Sequence, residues 1–300
     1  MKVALIINPV SGRKHSAIAA DAAEPVLRQA GWDVTRKVTQ CAGDATRLAR
    51  EAAEEGSDLV ITCGGDGSFS QALAGLLDTG VPAGLLPAGT GNDFARAAGL
   101  SLDPVKAAEQ IVRGHATRID LLAVQSEARA DETVWCANIA GVGFDARVCE
   151  RINRRSRVTG GTLAYLVAVA QEFLVFHRTP VRLRVDEQSW EGDALLVAFA
   201  NAQSYGGGMR IAPEASIDDG LIDVIVVKHM PRFDFARSFP RVMKGTHLTL
   251  PTVTMLRGKE AHIETDEPAP ALVDGDIQAE TPLSVRVEEG KGVFWRGTAS

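Results

Sequence analysis

Short apolar runs alternate with amphipathic stretches over the first third of the chain. A continuous apolar run is typical of a strand buried on both faces, and the stretches between the predicted strands have helical periodicity. Strands separated by helices of this length predict a parallel sheet with right-handed crossovers. The predicted strands are Val3–Ile7, Trp32–Val38, Asp58–Cys63 and Val81–Leu86. One helix is predicted over Ser16–Ala30, an alanine-rich one ends near Gly56, one begins after Gly67, and a short one ends at Ala98. A last helix begins at Asp103, as N-cap, and Pro104, at its first position.

From about Ile119 the pattern changes to short strand-like runs that are separated mostly by turns. Such a pattern predicts a mainly antiparallel β domain. We therefore expect an α/β domain over residues 1–120 and a β-rich domain over residues 121–300, with the last strand free to return to the first domain. The predicted strands of the second domain are Thr133–Ala140, Val181–Asp186, Ala194–Ala200, Leu221–Val227, Val253–Met255, Ala261–Thr265 and Leu283–Val287, and its predicted helices are Leu163–Phe176 and Phe233–Lys244.

The composition is that of a globular protein, with 45% hydrophobic and 23% charged residues. The formal net charge of −6 argues against a general nucleic-acid binder, which needs a basic surface. Four scattered cysteines without a CxxC pair favour reduced thiols in a cytoplasmic protein. The N-terminal apolar run is too short for a signal peptide and no later run is long enough to span a bilayer, so we expect no membrane anchor.

A glycine-rich turn, Gly64-Gly65-Asp66-Gly67, follows the third predicted strand and opens a helix. Glycines in such a turn let backbone N–H groups approach an anion at the helix N-terminus. Because a carboxylate repels phosphate, Asp66 is better suited to a metal ion, a sugar hydroxyl or the proton of an acceptor hydroxyl. Taken alone, plain turn chemistry explains this motif as well as phosphate binding does.

Polar, glycine-containing loops follow all four predicted strands of the first domain. The carboxyl ends of parallel strands meet at one edge of the sheet, where ligands bind. The chain has no GxxxxGK[ST] motif and no GxGxxG after the first strand, which argues against a P-loop NTPase and a dinucleotide-binding domain. Candidate phosphate-binding groups are the side chains of Asn8, Ser11, Thr39 and Thr90, the backbone of Gly12, Gly64, Gly65, Gly67 and Gly89, and the charges of Arg13 and Lys14.

Further short motifs are spread nearly end to end along the chain. They are Asn8–Gly12, Gly64–Gly67, Pro87–Ala95, Gly141–Ala146, Tyr205–Met209, Pro213–Val224 and Asp274–Asp276. In this order they resemble the bacterial diacylglycerol kinase-like lipid kinases, which share their catalytic domain with sphingosine and ceramide kinases. Gly-Gly-Asp-Gly also occurs in NAD kinases, whereas the Pro-x-Gly-Thr-x-Asn-Asp and Asp-Gly-x-x-Asp-Val elements are far more specific.

The resemblance implies an NAD kinase/phosphofructokinase-like α/β domain that binds ATP, followed by an antiparallel β-sandwich, with a lipid substrate in the cleft between them. It implies transfer of the γ-phosphoryl group of ATP to a lipid hydroxyl, with diacylglycerol as the expected acceptor. We expect a cytoplasmic protein that contacts the inner face of the membrane as a monomer or homodimer. Carried over position by position, the ATP contacts are Asn8, Pro9, Ser11, Gly12, Arg13, Thr39, Gly64, Gly65, Asp66, Gly67, Ser68, Ser70 and Thr90.

The resemblance also implies a magnesium site and a proton acceptor in the second domain. Mg²⁺ would be bound by the backbone carbonyls of Ser216 and Leu221 and the carboxylate of Asp219, and such hard oxygen ligands suit this ion. The position of Asp276 matches the proton acceptor of the family, which is usually a glutamate. Asp274 and Asp66 are the expected supporting carboxylates.

Several alternatives stay open at the level of the sequence. Ser68 and Ser70 stand where the family usually has threonine and asparagine, which leaves room for a non-catalytic nucleotide- or lipid-binding protein. The turn Gly64–Gly67 alone also suits a soluble phosphotransferase of the NAD kinase type. The acidic stretches at residues 218–220 and 274–276 are also compatible with plain turns.

The lipid itself is not identified by these residues. Phosphatidylglycerol, a sphingoid base and a polyprenol present a hydroxyl below an apolar tail just as diacylglycerol does.

A basic run suits either anionic headgroups or a solvated helix face, and it comprises Arg147, Arg151, Arg154, Arg155 and Arg157.

Overall fold

The computed structural model describes residues 1–144, 146–147 and 178–298. The first domain contains strands β1 (Lys2–Ile7), β2 (Asp33–Val38), β3 (Leu59–Gly64) and β4 (Ala83–Pro87), and helices α1 (His15–Gln29), α2 (Asp44–Glu54), α3 (Asp66–Leu76), α4 (Asp93–Ala97) and α5 (Pro104–Val112). The strands are parallel, as predicted, in the order β4-β3-β1-β2. β3 and β4 are buried along their whole lengths, which explains their continuous apolar sequences.

Helix α5 begins where the sequence predicts. The Asp103 carboxylate accepts hydrogen bonds from the backbone amides of Val105 (2.9 Å) and Lys106 (3.0 Å), and Pro104 occupies the first turn. Two of the amides that a helix start leaves unpaired are therefore satisfied.

The second domain is built from antiparallel strand pairs. The inner faces of its central strands pack within the sandwich, and helix α6 (Arg232–Lys244) covers their outer faces. Its strands are β6 (Val134–Cys136), β7 (Ile139–Gly143), β8 (Thr179–Val185), β9 (Gln188–Ala200), β10 (Ile222–Lys228), β11 (Val253–Gly258), β12 (Glu260–Thr265), β13 (Pro270–Val273) and β14 (Asp276–Glu280).

Two long strands, β5 (His115–Ser126) and β15 (Leu283–Arg296), join the domains. They pair antiparallel with each other, and Phe294 of β15 also pairs in parallel with Ala83 of β4. The strands therefore form one hydrogen-bonded network across both domains. The boundary expected near residue 120 lies inside β5, because this strand begins beside the parallel sheet and ends in the β-rich domain.

Three buried aromatic rings fix this junction to the first domain. Phe294 makes edge-to-face contacts with Phe69 of α3 (5.8 Å between ring centroids) and Phe94 of α4 (5.2 Å). Phe69 and Phe94 stack on each other at 4.4 Å. The positions of α3 and α4 therefore depend on β15, although β15 lies far away in the sequence.

Some predicted elements differ from the structure. The predicted strand Thr133–Ala140 is two strands, β6 and β7, separated by a turn, and β5, β13 and β14 are not among the predicted strands. Asp274 (φ 46°) and Gly275 (φ 97°) form the turn between β13 and β14, and two positive φ values are typical of a two-residue hairpin.

The predicted helix Leu163–Phe176 and the arginines at 151, 154, 155 and 157 lie outside the described residues. Among the helices that the structure does describe, none combines the length and the apolar character needed to cross a bilayer.

Candidate active site

Glycines pack three of the sheet-edge loops directly against one another. A Cβ atom on Gly12, whose φ is +53°, would overlap the carbonyl oxygen of Ala88. A Cβ atom on Gly89 would likewise overlap the Cα atom of Gly65. The loops after β1, β3 and β4 are therefore in backbone contact, and we call the surface they form at the start of α3 the glycine cradle.

Polar side chains of the glycine cradle bond to one another. The Asn8 amide donates to the hydroxyl of the buried Ser68 (2.7 Å), and its Oδ1 accepts from the Val10 amide (3.2 Å). Asn92, at φ +54°, closes the loop after β4, because its Oδ1 accepts from Gly89 N (2.8 Å) and its Nδ2 donates to Gly89 O (3.0 Å). These bonds hold the cradle in one shape.

The structure brings most of the predicted ATP contacts into this cradle, with one at its side. Thr39 follows β2 and is buried, and its amide donates to the Ile7 carbonyl (3.0 Å) at the end of β1. Thr90 is exposed in the loop after β4. The loop after β1 contains Pro9, Ser11, Gly12 and Arg13, and the turn after β3 contains Gly64, Gly65, Asp66, Gly67 and Ser68.

Asp66 links the starts of helices α3 and α4. Its Oδ1 accepts a hydrogen bond from the backbone amide of Phe94 (2.8 Å). Burial raises the pKa of Asp66, the Phe94 amide lowers it, and the nearby negative charges of Asp93 and Asp274 raise it further. Asp66 thus lies where two helix starts and the second domain meet.

Asp93 joins the first domain to a glycine-rich loop of the second domain at residues 205–208. The Asp93 carboxylate is buried and accepts from the Ser204 hydroxyl (3.1 Å), Gly207 N (2.8 Å) and Gly208 N (2.7 Å). Charge-assisted bonds of this kind are stronger than neutral ones. Asp93 therefore fixes this loop against the start of α4.

Asp274 is a buried carboxylate with both oxygens engaged. Its Oδ2 accepts from the Ser70 hydroxyl (2.5 Å) and from Ala137 N (2.7 Å). Burial raises the pKa of Asp274, whereas Ser70 and the amides lower it. Because its acceptor positions are occupied, Asp274 suits the orientation of the two domains better than proton transfer. Its Oδ1 accepts from Asn138 N (2.9 Å), Ile139 N (3.2 Å) and the Cys136 thiol (3.2 Å).

Asp276 faces the start of α3 from the second domain. Its Oδ2 lies 3.5 Å from the position that a Cβ atom on Gly67 would occupy. Although the residue as a whole is exposed, desolvation of its carboxylate beside α3 raises the pKa of Asp276, and the negative charge of Asp274 raises it further. The predicted proton acceptor therefore lies close to the turn after β3 that forms part of the glycine cradle.

The predicted magnesium ligands lie in one turn before β10. The Asp219 carboxylate is exposed and accepts from Leu221 N (3.2 Å). Desolvation raises the pKa of Asp219, and the charges of Asp223 and Asp120 add to this effect, so a cation would stabilise its ionised form. Ser216 uses its hydroxyl for Asp218 (2.7 Å), which leaves its carbonyl as the candidate ligand.

This donor set fits Mg²⁺ in its chemistry, since all three predicted ligands are oxygens. Within residues 1–144, 146–147 and 178–298, no group of three or more histidine, cysteine and acidic side chains could hold a metal ion. The predicted ligands are of another kind, since two of the three are backbone carbonyls.

An apolar cavity lies between the outer face of the central strands and α6. It encloses about 60 Å³. Its walls include Tyr205 and Met209, which belong to the same loop that Asp93 binds. Helix α6 contributes Phe235, Phe239 and Val242.

Asp93 and Asp120 are polar residues that the sequence analysis does not assign to the site. Asp93 could have been found from its place in the Asn92-Asp93 pair of a recognised motif. Asp120 accepts from Gly220 N and Gly290 N, both at 2.7 Å, and so anchors the turn of the predicted magnesium site. Its partners are 100 and 170 residues away, so no local pattern could reveal this role.

Two sequence-family profiles match the chain. The profile described as the diacylglycerol kinase catalytic domain matches residues 2–124. The profile described as the YegS C-terminal NAD kinase beta sandwich-like domain matches residues 138–291. With the observed strand pairing, these matches confirm the predicted fold class, an α/β domain with parallel strands followed by an antiparallel β-sandwich.

Similar proteins cover nearly the whole chain. A diacylglycerol kinase of Mycobacterium tuberculosis strain H37Rv is 36% identical over 289 residues, which are 95% of this chain and 91% of that protein. A diacylglycerol kinase of Bacillus subtilis strain 168 is 30% identical over 285 residues, with coverages of 93% and 90%. A crystal structure from Bacillus anthracis strain Sterne, provisionally described as a diacylglycerol kinase, has a TM-score of 0.81 at 26% identity and coverages of 99% and 95%.

Proposed function

Since this chain belongs to the diacylglycerol kinase-like lipid kinase family, we propose that it transfers the γ-phosphoryl group of ATP to the hydroxyl of diacylglycerol, giving phosphatidic acid. The loop at residues 205–209 is the observation that carries this proposal. The amides of Gly207 and Gly208 bind Asp93 beside the glycine cradle, while Tyr205 and Met209 line the apolar cavity. One loop therefore connects a surface suited to phosphates with a surface suited to an acyl chain.

We propose that the ATP phosphates bind over the glycine cradle at the start of α3. Bare backbone at Gly65 and Gly67 and the positive end of the helix dipole favour an anion there. The Asp66 carboxylate is held by the Phe94 amide, and because it would repel a phosphate we propose that it acts on a cation or a hydroxyl beside the phosphates. The cavity volume of about 60 Å³ is well below the roughly 300 Å³ at which pockets for small ligands begin, so we propose that α6 shifts to admit the lipid.

Asp276 is the proposed proton acceptor. The lipid hydroxyl oxygen attacks the γ-phosphorus, the bond to the β–γ bridging oxygen breaks, ADP leaves, and the hydroxyl proton passes to the Asp276 carboxylate. A raised pKa makes Asp276 a stronger base than an ordinary aspartate. Asp274 acts through position, because it fixes the turn that carries Asp276.

Mg²⁺ is proposed to bind the carbonyls of Ser216 and Leu221 and the carboxylate of Asp219. Its charge would neutralise Asp219 and order the turn that Asp120 anchors through Gly220. We expect Mg²⁺ to raise the melting temperature of the wild type more than that of Asp219→Ala. Equal stabilisation of both proteins would contradict this assignment.

Two alternatives differ from the lipid kinase in their acceptor or activity. A phosphotransferase of the NAD kinase type would use the glycine cradle but has no need of the apolar cavity. Ser68 and Ser70 suit a non-catalytic binding protein, yet both hydroxyls have structural partners, Asn8 for Ser68 and Asp274 for Ser70. Neither alternative accounts for the cavity and Asp276 together.

Transfer of label from γ-labelled ATP into a mixed lipid extract, with NAD as a parallel acceptor, tests the proposal. We expect a labelled lipid that migrates as phosphatidic acid. Asp276→Asn should lower kcat by roughly 10²–10⁴-fold with ATP affinity retained. Glu187→Gln, which alters an exposed carboxylate in the turn between β8 and β9, is the matched control and should behave as the wild type.

Label in NAD alone would support the soluble phosphotransferase instead. ATP binding without transfer to either acceptor would support the non-catalytic alternative. An Asp276→Asn variant with unchanged kcat would remove Asp276 from the mechanism.

A further inference from the structure

Helix α6 has apolar side chains on two opposite faces. Phe235, Phe239 and Val242 are spaced at helical periodicity and line the cavity. On the opposite, outer face, Phe233 is 76% exposed, and Met243, on the flank between the two faces, is 45% exposed. Large exposed apolar side chains are typical of a surface that contacts a partner or a membrane.

Basic side chains share this outer face. Arg237 and Lys244 are exposed and lie four and eleven residues after Phe233, which puts all three on one side of the helix. Asp234 is the one acidic residue in the sequence of α6, although the whole chain has a formal net charge of −6. The outer face of α6 is therefore locally basic on an acidic protein.

We propose that the outer face of α6 is the surface that docks on an anionic phospholipid bilayer. Phe233 enters the boundary between headgroups and acyl chains, Arg237 and Lys244 contact the lipid phosphates, and Met243 adds an apolar contact at the flank of the helix. The inference rests on the proposed lipid kinase function, because that function requires the protein to reach an acceptor held in a membrane. Charge complementarity between this face and an acidic leaflet selects a bilayer as the occupant.

Docking through α6 would also affect the apolar cavity, because α6 forms one of its walls. The helix that meets the bilayer is also the wall that must shift to admit an acyl chain. Pro240 lies inside α6 and has no N–H to donate to the preceding turn, which weakens the helix at this point. Contact with lipid therefore acts on the part of the cavity wall that is easiest to move.

Flotation with vesicles, without ATP, tests the docking surface directly. We expect the wild type to float with vesicles of phosphatidylcholine and phosphatidylglycerol and to remain unbound with phosphatidylcholine alone. Phe233→Ser/Met243→Ser and Arg237→Glu/Lys244→Glu should each weaken binding about tenfold or more. The control is Leu102→Ser/Lys106→Glu, which makes the same kinds of change at an exposed leucine and lysine of the first domain and should bind as the wild type.

A fluorophore attached to α6 gives a second measurement of docking, which does not rely on variants with weakened vesicle binding. In a Cys41→Ser/Cys149→Ser background, an environment-sensitive fluorophore on Phe233→Cys should shift to the blue with anionic vesicles, and one on Leu102→Cys should not. Absence of wild-type binding, unchanged binding of both α6 variants, or equal shifts at the two labels would overturn the proposal.

Activity on a short-chain diacylglycerol dissolved as a monomer separates the two proposals. The α6 variants should keep wild-type activity on this substrate while losing activity on vesicles. If the wild type phosphorylates no lipid, the proposed function fails, and flotation still decides whether α6 docks.

Discussion

At the residue scale, the carboxylates of Asp66, Asp274 and Asp276 lie around the start of α3 and differ in the number of hydrogen bonds that they accept. Asp274 has both oxygens engaged, and Asp66 binds the Phe94 amide. Asp276 is exposed and faces the cradle. The carboxylate with the most open surroundings is therefore the one suited to take a proton.

The raised pKa of Asp276 leads to a prediction about pH. Protonated Asp276 cannot accept a proton, so kcat should fall as the pH drops, with a midpoint above the usual range of an aspartate. A pH profile of kcat measures this midpoint. A midpoint that is unchanged in Asp276→Asn would show that another group controls the acid limb.

The same shift affects stability in the opposite direction. A carboxyl whose folded pKa is raised holds its proton more tightly in the folded state, so its contribution is favourable at low pH and is lost as the pH rises through the folded pKa. Asp276→Asn removes this effect and should melt at a higher temperature than the wild type at neutral pH. The difference should vanish below about pH 3, where aspartates are protonated in both states.

A substitution of Ser70 can show whether this residue stabilises the fold or binds the nucleotide. Ser70→Ala removes a donor from the buried Asp274 and should lower the free energy of unfolding by about 1–2 kcal/mol, with ATP affinity unchanged. Chemical denaturation and ATP titration measure the two effects. Ser189→Ala, at an exposed serine of β9, is the control. Weaker ATP binding at unchanged stability would instead make Ser70 a nucleotide contact.

At the scale of elements, the glycine cradle depends on close contact between loops. Gly12→Ala introduces a Cβ into the Ala88 carbonyl at a positive φ, whereas Gly31→Ala introduces one at φ +80° with no atom within 4 Å. Both variants carry backbone strain of about 1–3 kcal/mol, but only Gly12→Ala should also weaken ATP binding. Equal ATP affinities in the two variants would mean that the loop contact does not shape the nucleotide site.

The sequence predicted the elements whose signals are local. Continuous apolar runs identified β1, β3 and β4, because strands buried on both faces are apolar throughout, whereas β2 is an exposed edge strand with a mixed sequence. The hairpin around Asp274 and Gly275 was not recognised as two strands, and β5 was missed where the pattern changes between domains. The cradle and Asp276 followed from motifs, whereas Asp120 acts through partners that only the fold brings near.

On the scale of the whole molecule, Phe294 connects the domain junction with the two helices that open at the cradle. Phe294→Ala should lower the free energy of unfolding by about 3–5 kcal/mol and also weaken ATP binding, because α3 and α4 lose their shared contact. Phe199→Ala removes an equally buried ring from the core of the second domain and is the matched control. ATP titrations below both melting temperatures should separate the variants, and equal losses of affinity would contradict the proposed connection.

The pairing of β15 with β4 also determines when, during synthesis, the first domain can finish folding. The ribosome synthesises β1 to β4 long before it synthesises Phe294. Until then, the edge of β4 lacks its pairing with β15, and the rings of Phe69 and Phe94 lack their contact with Phe294. An unpaired strand edge in a nascent chain invites aggregation, and chaperones would have this edge to protect. The first domain therefore completes its core only once the chain of the second domain has been made.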